Sequence, residues 1–491
     1  MKNGTLQKIL DIGIALSKEK DTERLLEYIL TAVMDITQCD GGTLYIKEDE
    51  TLEFKIMITK SRGIHQGGSG DAITMPPVSL VKENVCACGV LYRRLINIPD
   101  VYESSGYDFS GPKKYDAITG YQTKSMMVVP MEDDKGTIIG VMQLINAMDE
   151  SGNVIPFREE YEQILLSVGS QAAICLMNMN YAKQIRNMLD SFVRVMSTAI
   201  DARSPYTANH TRNMVAYASR FIDWLNQQDT GWNFDEKEKY VFLMSAWLHD
   251  IGKLITPQEV MDKRDRLAGN YTIIMDRFEK IRLLTKIEAL QGKVGEKEAA
   301  DRFEKIQNAG QLVTQVNECG FLTDELAWKV NELAGWIFEE EDGSLHPWIT
   351  QEEQEQLLIR KGTLTDKERE IMQDHVEMTR IMLEQMSFGE DYQNVVTFAA
   401  QHHERLNGSG YPKGLKEDEI SREVRLLVIL DIFEALTARE RPYKPPIPAE
   451  EAFEILYRMA SQGEIDLDIL KLFEQSQAWI LDSQETGERG L

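Results

Sequence analysis

The spacing of hydrophobic residues divides the chain into a mixed first part and a helical second part. In the first part, short apolar runs between glycine-rich turns predict strands, and apolar residues at three- and four-residue steps predict helices. The predicted strands are Thr43–Ile46, Glu53–Ile58, Ser125–Pro130 and Ile138–Ile145. One predicted helix begins near Leu6, and a second covers Leu25–Ile36. A sheet with flanking helices over about 160 residues predicts one α+β domain.

A long helix is predicted from Glu159 to Ile200, where no proline interrupts the pattern. Its apolar residues form a seam at three- and four-residue steps: Leu165, Val168, Ala172, Cys175, Met179, Ala182, Ile185, Leu189, Phe192 and Met196. One interpretation is a helix packed on its own domain, and the other is a parallel two-stranded coil in a homodimer. We favour the homodimer, because a seam of this length needs a partner and the helix joins two domains.

The remainder of the chain is predicted to be helical. The predicted helices are His210–Gln227, Asp235–Leu248, Thr365–Met386, Tyr392–His403 and Glu423–Ala438. This pattern indicates an all-α bundle, in which functional side chains project inward from several helices.

Charge and cysteine content narrow the classes of partner. The 491 residues include 80 acidic and 54 basic side chains, for a net charge of −26. This charge argues against binding to polymeric nucleic acid or to an anionic membrane, although a local pocket could still hold a small anion. Five scattered cysteines and the lack of a membrane-length apolar run predict a cytoplasmic protein without disulfides.

Histidines and aspartates on the apolar faces of the predicted helices carry the candidate chemistry. Six of the seven histidines lie in the helical part, and five of them stand at positions that suggest a metal site together with two aspartates: His210, His249, His375, His402, His403, Asp250 and Asp431. Each could by itself be a hydrogen-bonded core residue. Together, so many polar groups facing one core would be costly to bury unless a metal bound them. Imidazole and carboxylate ligands suit iron, manganese, nickel or zinc.

The first part of the chain resembles a GAF domain, of the type found in cyclic-nucleotide phosphodiesterases and cyclases. The resemblance rests on Leu95–Tyr102, Thr119–Ser125, Val129–Met131 and Ile139–Asn146. It implies a sensory module that binds a small molecule or that dimerises. Members that bind cyclic nucleotides carry an Asn-Lys pair followed by Phe. Here Asn146 and Phe157 are present but Ala147 replaces the lysine, so the ligand stays unnamed.

The helical part resembles the HD-GYP family of bacterial cyclic dinucleotide phosphodiesterases. The motifs that carry this resemblance are His249-Asp250-Ile251-Gly252-Lys253, His402–Pro412, Asp431–Thr437 and Arg441–Lys444. The resemblance implies that Asp250 bridges two metal ions, iron or manganese. Its implied ligands are His210, His249 and Asp431 for one ion and His375, His402 and His403 for the other. A glutamate that supports a third metal in some members is Tyr206 here, so two ions are expected.

The same resemblance implies an activity. A hydroxide bridging the metals would attack phosphorus, converting cyclic di-GMP to pGpG, to GMP or to both. Lys253 would act with Asp250 in catalysis by supplying a proton or positive charge to the leaving oxygen. Arg441 and Lys444 would neutralise the phosphate charge, unless they only form surface salt bridges.

The Gly410-Tyr411-Pro412 loop would shape the substrate pocket and could dock a partner protein. Two departures from the family pattern stand near these motifs. Asn407 replaces the usual aspartate, and an insertion covers about residues 267–360. The insertion could be a lid over the site or an additional dimer surface.

These arguments predict a multidomain chain. The expected parts are a GAF domain at 1–160, a signalling helix at 161–200, a catalytic domain at 201–450 and a C-terminal helical extension at 451–491. A non-catalytic receptor or scaffold of the same fold stays an alternative. So does a phosphohydrolase acting on 3′,3′-cyclic GMP-AMP or on another nucleotide such as an alarmone.

Overall fold

The computed structural model describes residues 10–14, 19, 21–203, 209–340, 342–438 and 446–481. The chain forms two units, Met1–Leu189 and Asp190–Leu491. None of the helices in the described ranges is long and apolar enough to cross a membrane.

The first unit is built on an antiparallel sheet. Its strands are β1 (Cys39–Glu48), β2 (Thr51–Thr59), β3 (Ile64–Gln66), β4 (Val78–Ser79), β5 (Ile96–Ile98), β6 (Met126–Glu132), β7 (Ile138–Met148) and β8 (Val154–Ile155). They are ordered β3-β2-β1-β7-β6-β5, with β4 beside β2 and β8 beside β7. The four strands predicted from sequence are present, each extended by a few residues at one or both ends.

Helices cover this sheet. They are α1 (Thr22–Thr37), α2 (Val85–Leu91), α3 (Ser110–Thr119) and the start of α4 (Glu162–Arg203). The side chain of Asp21 caps the first turn of α1 by accepting from the backbone N–H groups of Glu23 and Arg24. One hydrophobic core joins α1 and α4 to the sheet, and a second joins α2 to it. The α+β prediction for this region is confirmed.

The seam predicted along the long helix is wrong in its first part. Leu165, Val168 and Ala172 are buried in the core of the first unit, because these turns of α4 pack on their own domain. The exposed apolar side chains of α4 follow a different spacing. Within the first unit they are Ile174, Tyr181, Ile185 and Met188, at steps of seven, four and three residues.

The second unit is a helical bundle. Its helices before the insertion are α5 (His210–Gln227), α6 (Glu236–Leu248) and α7 (Gln258–Met261). After it come α12 (Asp366–Glu384), α13 (Asn394–Ala399), α14 (Arg422–Thr437), α15 (Ala449–Ser461) and α16 (Leu467–Ser476). The helix expected to continue to His403 ends at Ala399, so His402 and His403 lie in the turns that follow. Residues of α15 and α16 belong to the same hydrophobic core as α5, α6 and α14.

The insertion has a hydrophobic core of its own. It contains α8 (Asn270–Leu290), α9 (Glu296–Glu318), α10 (Asp324–Ala334), a hairpin of β9 (Ile337–Glu339) and β10 (Leu345–Pro347), and α11 (Gln351–Leu357). At its base, the buried Arg266 donates from Nε to the carbonyl oxygen of Ile359, at 3.1 Å, and so ties the two ends of the insertion together. The insertion is therefore a small helical subdomain with a closed base.

Candidate metal centre

The seven predicted ligands come from five parts of the bundle. His210 begins α5, His375 lies within α12 and Asp431 lies within α14. His249 and Asp250 directly follow α6, and His402 and His403 follow α13. Since helix ends and inward faces meet at one place in the bundle, residues up to 221 positions apart share one buried cluster.

The first half of the cluster surrounds Asp431. The Nε2 atom of His210 lies 3.3 Å from Oδ1 of Asp431 and 3.2 Å from Nε2 of His249. The Nε2 atom of His249 lies 4.0 Å from the same carboxylate oxygen. Three donor atoms thus lie close enough together to bind one ion.

The second half surrounds the other side of Asp250. His375, His402 and His403 form a group of ligand atoms that lie within 4.8 Å of one another. Asp250 lies between the two halves, with Oδ2 at 3.3 Å from His249 and Oδ1 at 3.3 Å from His375. This division coincides with the one that the family resemblance implied, and ligation itself remains a prediction.

Backbone carbonyl groups fix the tautomer of three histidines. Nδ1 of His249 lies 2.8 Å from the carbonyl oxygen of Ala246, and Nδ1 of His402 lies 2.6 Å from that of Ala399. His375 makes the same contact with Met372. A carbonyl oxygen can only accept, so each Nδ1 carries the proton and each Nε2 presents a lone pair to the cluster.

A carboxylate that sequence reasoning left without a role orients the remaining histidine of the first half. Nδ1 of His210 contacts Oε2 of Glu434, which is buried and also accepts from Nδ2 of Asn213 at 3.1 Å. Glu434 lies three residues after Asp431, on the same face of α14. That spacing was the available signal, because residues three apart on a helix point the same way.

The cluster brings acceptors against acceptors. Oδ1 of Asp250, Nε2 of His375 and Nε2 of His402 are buried and have no hydrogen-bond partner among the described residues. Lone pairs that face each other at 3.3 Å in a buried site repel, and burying polar atoms without partners is costly. A cation between these atoms would bind a lone pair of each. The ligand atoms present therefore fit a pair of metal ions.

The electrostatics of the cluster point the same way. Burial opposes ionisation of Asp250, but the charges of Lys253 and His249 hold its pKa well below the usual range. Burial lowers the pKa of His403 to about 3, which keeps its ring neutral. Burial also lowers the pKa of His210, but hydrogen bonds to Asp431 and Glu434 outweigh this effect and raise the pKa to about 10. The carboxylates therefore stay ionised and attract positive charge, whether a proton or a metal.

Tight packing holds the motif after α6 against α12. A Cβ atom on Gly252 would lie 1.9 Å from the carbonyl oxygen of His375, so only glycine allows this approach. Thr379 links the two segments, since its hydroxyl donates to the carbonyl oxygen of His249 and accepts from the N–H of Gly252, both at 3.0 Å. Lys253, the residue after Gly252, contacts the cluster, since its Nζ atom lies 2.5 Å from Oδ2 of Asp250.

The Gly-Tyr-Pro loop lies beside the cluster. The ring of Tyr411 is centred 4.8 Å from that of His403, and Gly410 packs against the backbone of Glu404 and Arg405, where a Cβ atom would collide. Pro412 is exposed. The predicted phosphate contacts Arg441 and Lys444 lie outside the described residues.

Two side chains shape this loop from within. The buried carboxylate of Glu404 accepts from the backbone N–H groups of Lys413 and Leu415, each at 2.8 Å. Oδ1 of Asn407 accepts from the N–H of Ser409 at 3.0 Å and from its hydroxyl at 2.6 Å. In place of the usual aspartate, Asn407 therefore stabilises the turn locally.

The first unit contains a cavity of about 270 Å³ beside its sheet. Tyr45, Phe54, Met126 and Gln143 are among its lining residues, and no lysine, arginine or histidine is among the described residues that line it. Asn146 does not line the cavity. Its amide is engaged with the hydroxyl of Tyr121, the carbonyl of Gln122 and the N–H of Lys124.

Models of two protein families match the chain, one in each unit. A model of the GAF domain matches residues 21–176, and a model of the HD domain matches residues 352–469. The chain combines a GAF domain with an HD domain. The matched HD segment contains His375, His402, His403 and Asp431, and it begins near the end of the insertion.

Curated relatives match over shorter stretches. The chain is 42% identical over 99 residues to a cyclic di-GMP phosphodiesterase of Thermotoga maritima, covering 20% of this chain and 26% of the relative. It is 37% identical over 115 residues to 3′3′-cGAMP-specific phosphodiesterase 1 of Vibrio cholerae, covering 23% of this chain and 26% of the relative. The chain thus spans about a quarter of the length of these relatives.

Proposed function

We propose that the chain is a metal-dependent phosphodiesterase that hydrolyses a cyclic dinucleotide, most readily cyclic di-GMP. The observation that carries the proposal is the set of buried, partnerless acceptor atoms of Asp250, His375 and His402, which converge on one point. The names of the relatives from Thermotoga maritima and Vibrio cholerae support the class of substrate.

Two ions, iron or manganese, suit the imidazole and carboxylate donors of the cluster. His210, His249 and Asp431 would hold one ion, and His375, His402 and His403 the other, with Asp250 shared. Bound there, the metals supply a nucleophile at neutral pH and neutralise phosphate charge.

The chain's own residues complete the site. Lys253 is held next to Asp250 and its side chain is about one-fifth exposed, so its ammonium group can reach a bound phosphodiester. It would donate a proton or positive charge to the leaving oxygen. Tyr411 covers the ring of His403 and limits the entry of water from that side.

A second substrate, 3′,3′-cyclic GMP-AMP, is favoured by the name of the relative from Vibrio cholerae. Both candidate substrates contain at least one guanosine, so one base-binding position of the enzyme could hold guanine in either substrate. Discrimination between them rests on the second base.

Metal analysis together with turnover assays tests this function. The purified chain should contain two transition-metal ions and should cleave cyclic di-GMP to a linear product that chromatography resolves. Cyclic di-AMP and 3′,3′-cyclic GMP-AMP complete the panel. Bound metal without turnover of any of the three would favour a receptor or scaffold instead.

The first unit is proposed to be the sensor that regulates this activity. Its cavity offers the carboxamide of Gln143 and the hydroxyl of Tyr45, which hydrogen bond to each other at 3.1 Å, within a wall of mixed apolar and polar side chains. Since the described lining residues include the carboxylate of Glu83 and no cationic side chain, we expect a ligand without negative charge. Cyclic AMP and cyclic GMP, which carry a phosphate, should leave the melting temperature of the protein unchanged.

A homodimer through α4 is also proposed. Ile174, Tyr181, Ile185 and Met188 present apolar side chains to solvent at the spacing of a coiled-coil seam. A second copy of the chain would cover them. The Ile185→Glu variant should sediment as a monomer, whereas the matched variant of a neighbouring exposed polar residue, Lys183→Glu, should remain a dimer.

A further inference from the structure

A cleft of about 330 Å³ adjoins the metal centre on the side of His375. It lies between the loop at Ile255–Pro257 and the outer face of α12. His375 lines the cleft, and its Nε2 atom is 3.3 Å from Asp250. A group bound in the cleft would therefore lie next to a phosphodiester held at the cluster.

Four apolar side chains make up half of the residues that line the cleft, and two of them are well exposed. Ile255 is 52% exposed and Ile371 is 39% exposed, and Pro257 and Met378 add to the same lining. Large aliphatic side chains left in water at the mouth of a polar site are suited to covering the faces of a flat ring.

The carboxylates that line the cleft disfavour the binding of phosphate there. Two carboxylates line it, and that of Glu377 is bound by the guanidinium group of Arg380 through Nε at 3.0 Å and Nη2 at 2.5 Å. Asp374 is exposed and has no hydrogen bond or ion pair with any described residue. Its uncompensated negative charge repels an anion and offers two acceptor oxygens.

Guanine matches this arrangement. Its Watson–Crick edge carries two adjacent donors, N1–H and the exocyclic N2 amino group, which a single carboxylate can accept side by side. Adenine presents the N1 lone pair at the corresponding position, which would face a carboxylate oxygen without a proton between them.

We propose that this cleft is the nucleobase subsite of the enzyme and that Asp374 selects guanine there. The proposal rests on the proposed phosphodiesterase activity and deepens it, because it names the residue that distinguishes bases. Neither family resemblance assigns a role to Asp374, which lies one position before a metal-ligand candidate and outside the motifs of both families.

Steady-state kinetics with cyclic di-GMP and cyclic di-AMP test the proposal on wild type, Asp374→Asn and Glu377→Gln. The Asp374→Asn change should lower kcat/KM for cyclic di-GMP by about 10- to 100-fold, since hydrogen bonds to a charged group are lost. Its kcat/KM for cyclic di-AMP should stay constant or rise. The matched Glu377→Gln variant, whose carboxylate already binds Arg380, should keep the wild-type preference.

Two further measurements keep the outcomes distinct. Metal content must stay the same in all three proteins, which separates a base contact from damage to His375. Equilibrium binding of GMP and AMP to the metal-loaded proteins reports on the subsite without turnover. Lack of any turnover would refute the proposed function. The binding of GMP would still show whether Asp374 contributes to a guanine subsite. Equal losses for guanine and adenine ligands, or no loss for guanine, would overturn the proposal.

Discussion

Two buried carboxylates, one in each unit, differ in the groups that surround them. Asp40 in the first unit is 4% exposed and Asp250 in the second is 2% exposed. Asp40 accepts from the N–H of Ser61 at 2.8 Å, from its hydroxyl at 2.6 Å and from the hydroxyl of Tyr121 at 2.6 Å. Every neighbour of that carboxylate in this network is a donor.

Asp250 has the opposite surroundings. Among the residues that the structure describes, only Lys253 donates to its side chain within hydrogen-bond distance, and Oδ1 faces the imidazole groups of His375 and His402 at 3.3 and 3.8 Å without a hydrogen bond. A network that is satisfied by its own donors stabilises the fold, whereas converging acceptors need something from outside. Burial alone does not separate the two cases; the partners do.

The double variant His249→Ala with Asp250→Ala should have the largest effect on this comparison. Removing the shared carboxylate and one imidazole leaves neither half of the cluster complete, so metal content should fall to background and turnover should vanish. Inductively coupled plasma mass spectrometry and the cyclic di-GMP assay measure both. The first unit should stay folded, as judged by resistance to proteolysis, and retained turnover would refute the assigned site.

The Lys253→Met variant tests whether the one donor near Asp250 acts in chemistry. Methionine keeps the length of the side chain and removes the charge, so turnover should fall by about 10²- to 10⁴-fold, the usual contribution of a general acid. Metal content is the control. A variant that lost metal in proportion to activity would show that Lys253 only positions Asp250.

Much of the fold followed from local pattern. The helix predicted from Thr365 is α12, where Thr365 and Glu368 form a capping box, and the strands predicted at Thr43–Ile46 and Ile138–Ile145 lie within β1 and β7. The seam of α4 was misassigned in part because apolar spacing cannot distinguish a domain core from a dimer interface. Leu165 and Ile174 look alike in sequence, and only the sheet beneath α4 separates them.

The site was predictable as far as its ligands stand in motifs. His249 and His402 could be found because each stands at the end of a predicted apolar helix next to a second candidate ligand, Asp250 or His403. Glu434 could not be assigned, since an acidic residue on a helix is usually exposed and nothing local shows that His210 lies opposite. Contacts between residues more than 200 positions apart depend on how the bundle closes, and sequence spacing does not encode that.

The Glu434→Gln variant measures the contribution of that missed residue. The amide cannot accept the N–H of His210 with a full negative charge, so the imidazole becomes a weaker ligand. Metal affinity should fall by about 10- to 100-fold, as for other residues that orient metal-binding histidines. Competition with a chelator measures it. Asn213→Ala, which removes only the partner of the other oxygen of Glu434, should cause a smaller loss.

The Asp40→Asn variant completes the comparison and should have the smallest effect on the metal centre. The amide oxygen replaces only one of the two carboxylate oxygens, so the NH₂ group would face either the N–H of Ser61 or the hydroxyl groups of Ser61 and Tyr121. The first unit should lose about 1–3 kcal/mol of its free energy of unfolding, the cost of a buried hydrogen-bond network left unsatisfied. Denaturant titration followed by circular dichroism measures the loss. Hydrogen-bond donors surround Asp40, whereas acceptors that could bind a cation surround Asp250. Metal content should therefore stay at the wild-type value in Asp40→Asn. A fall in bound metal in Asp40→Asn would contradict the division between a structural and a functional carboxylate.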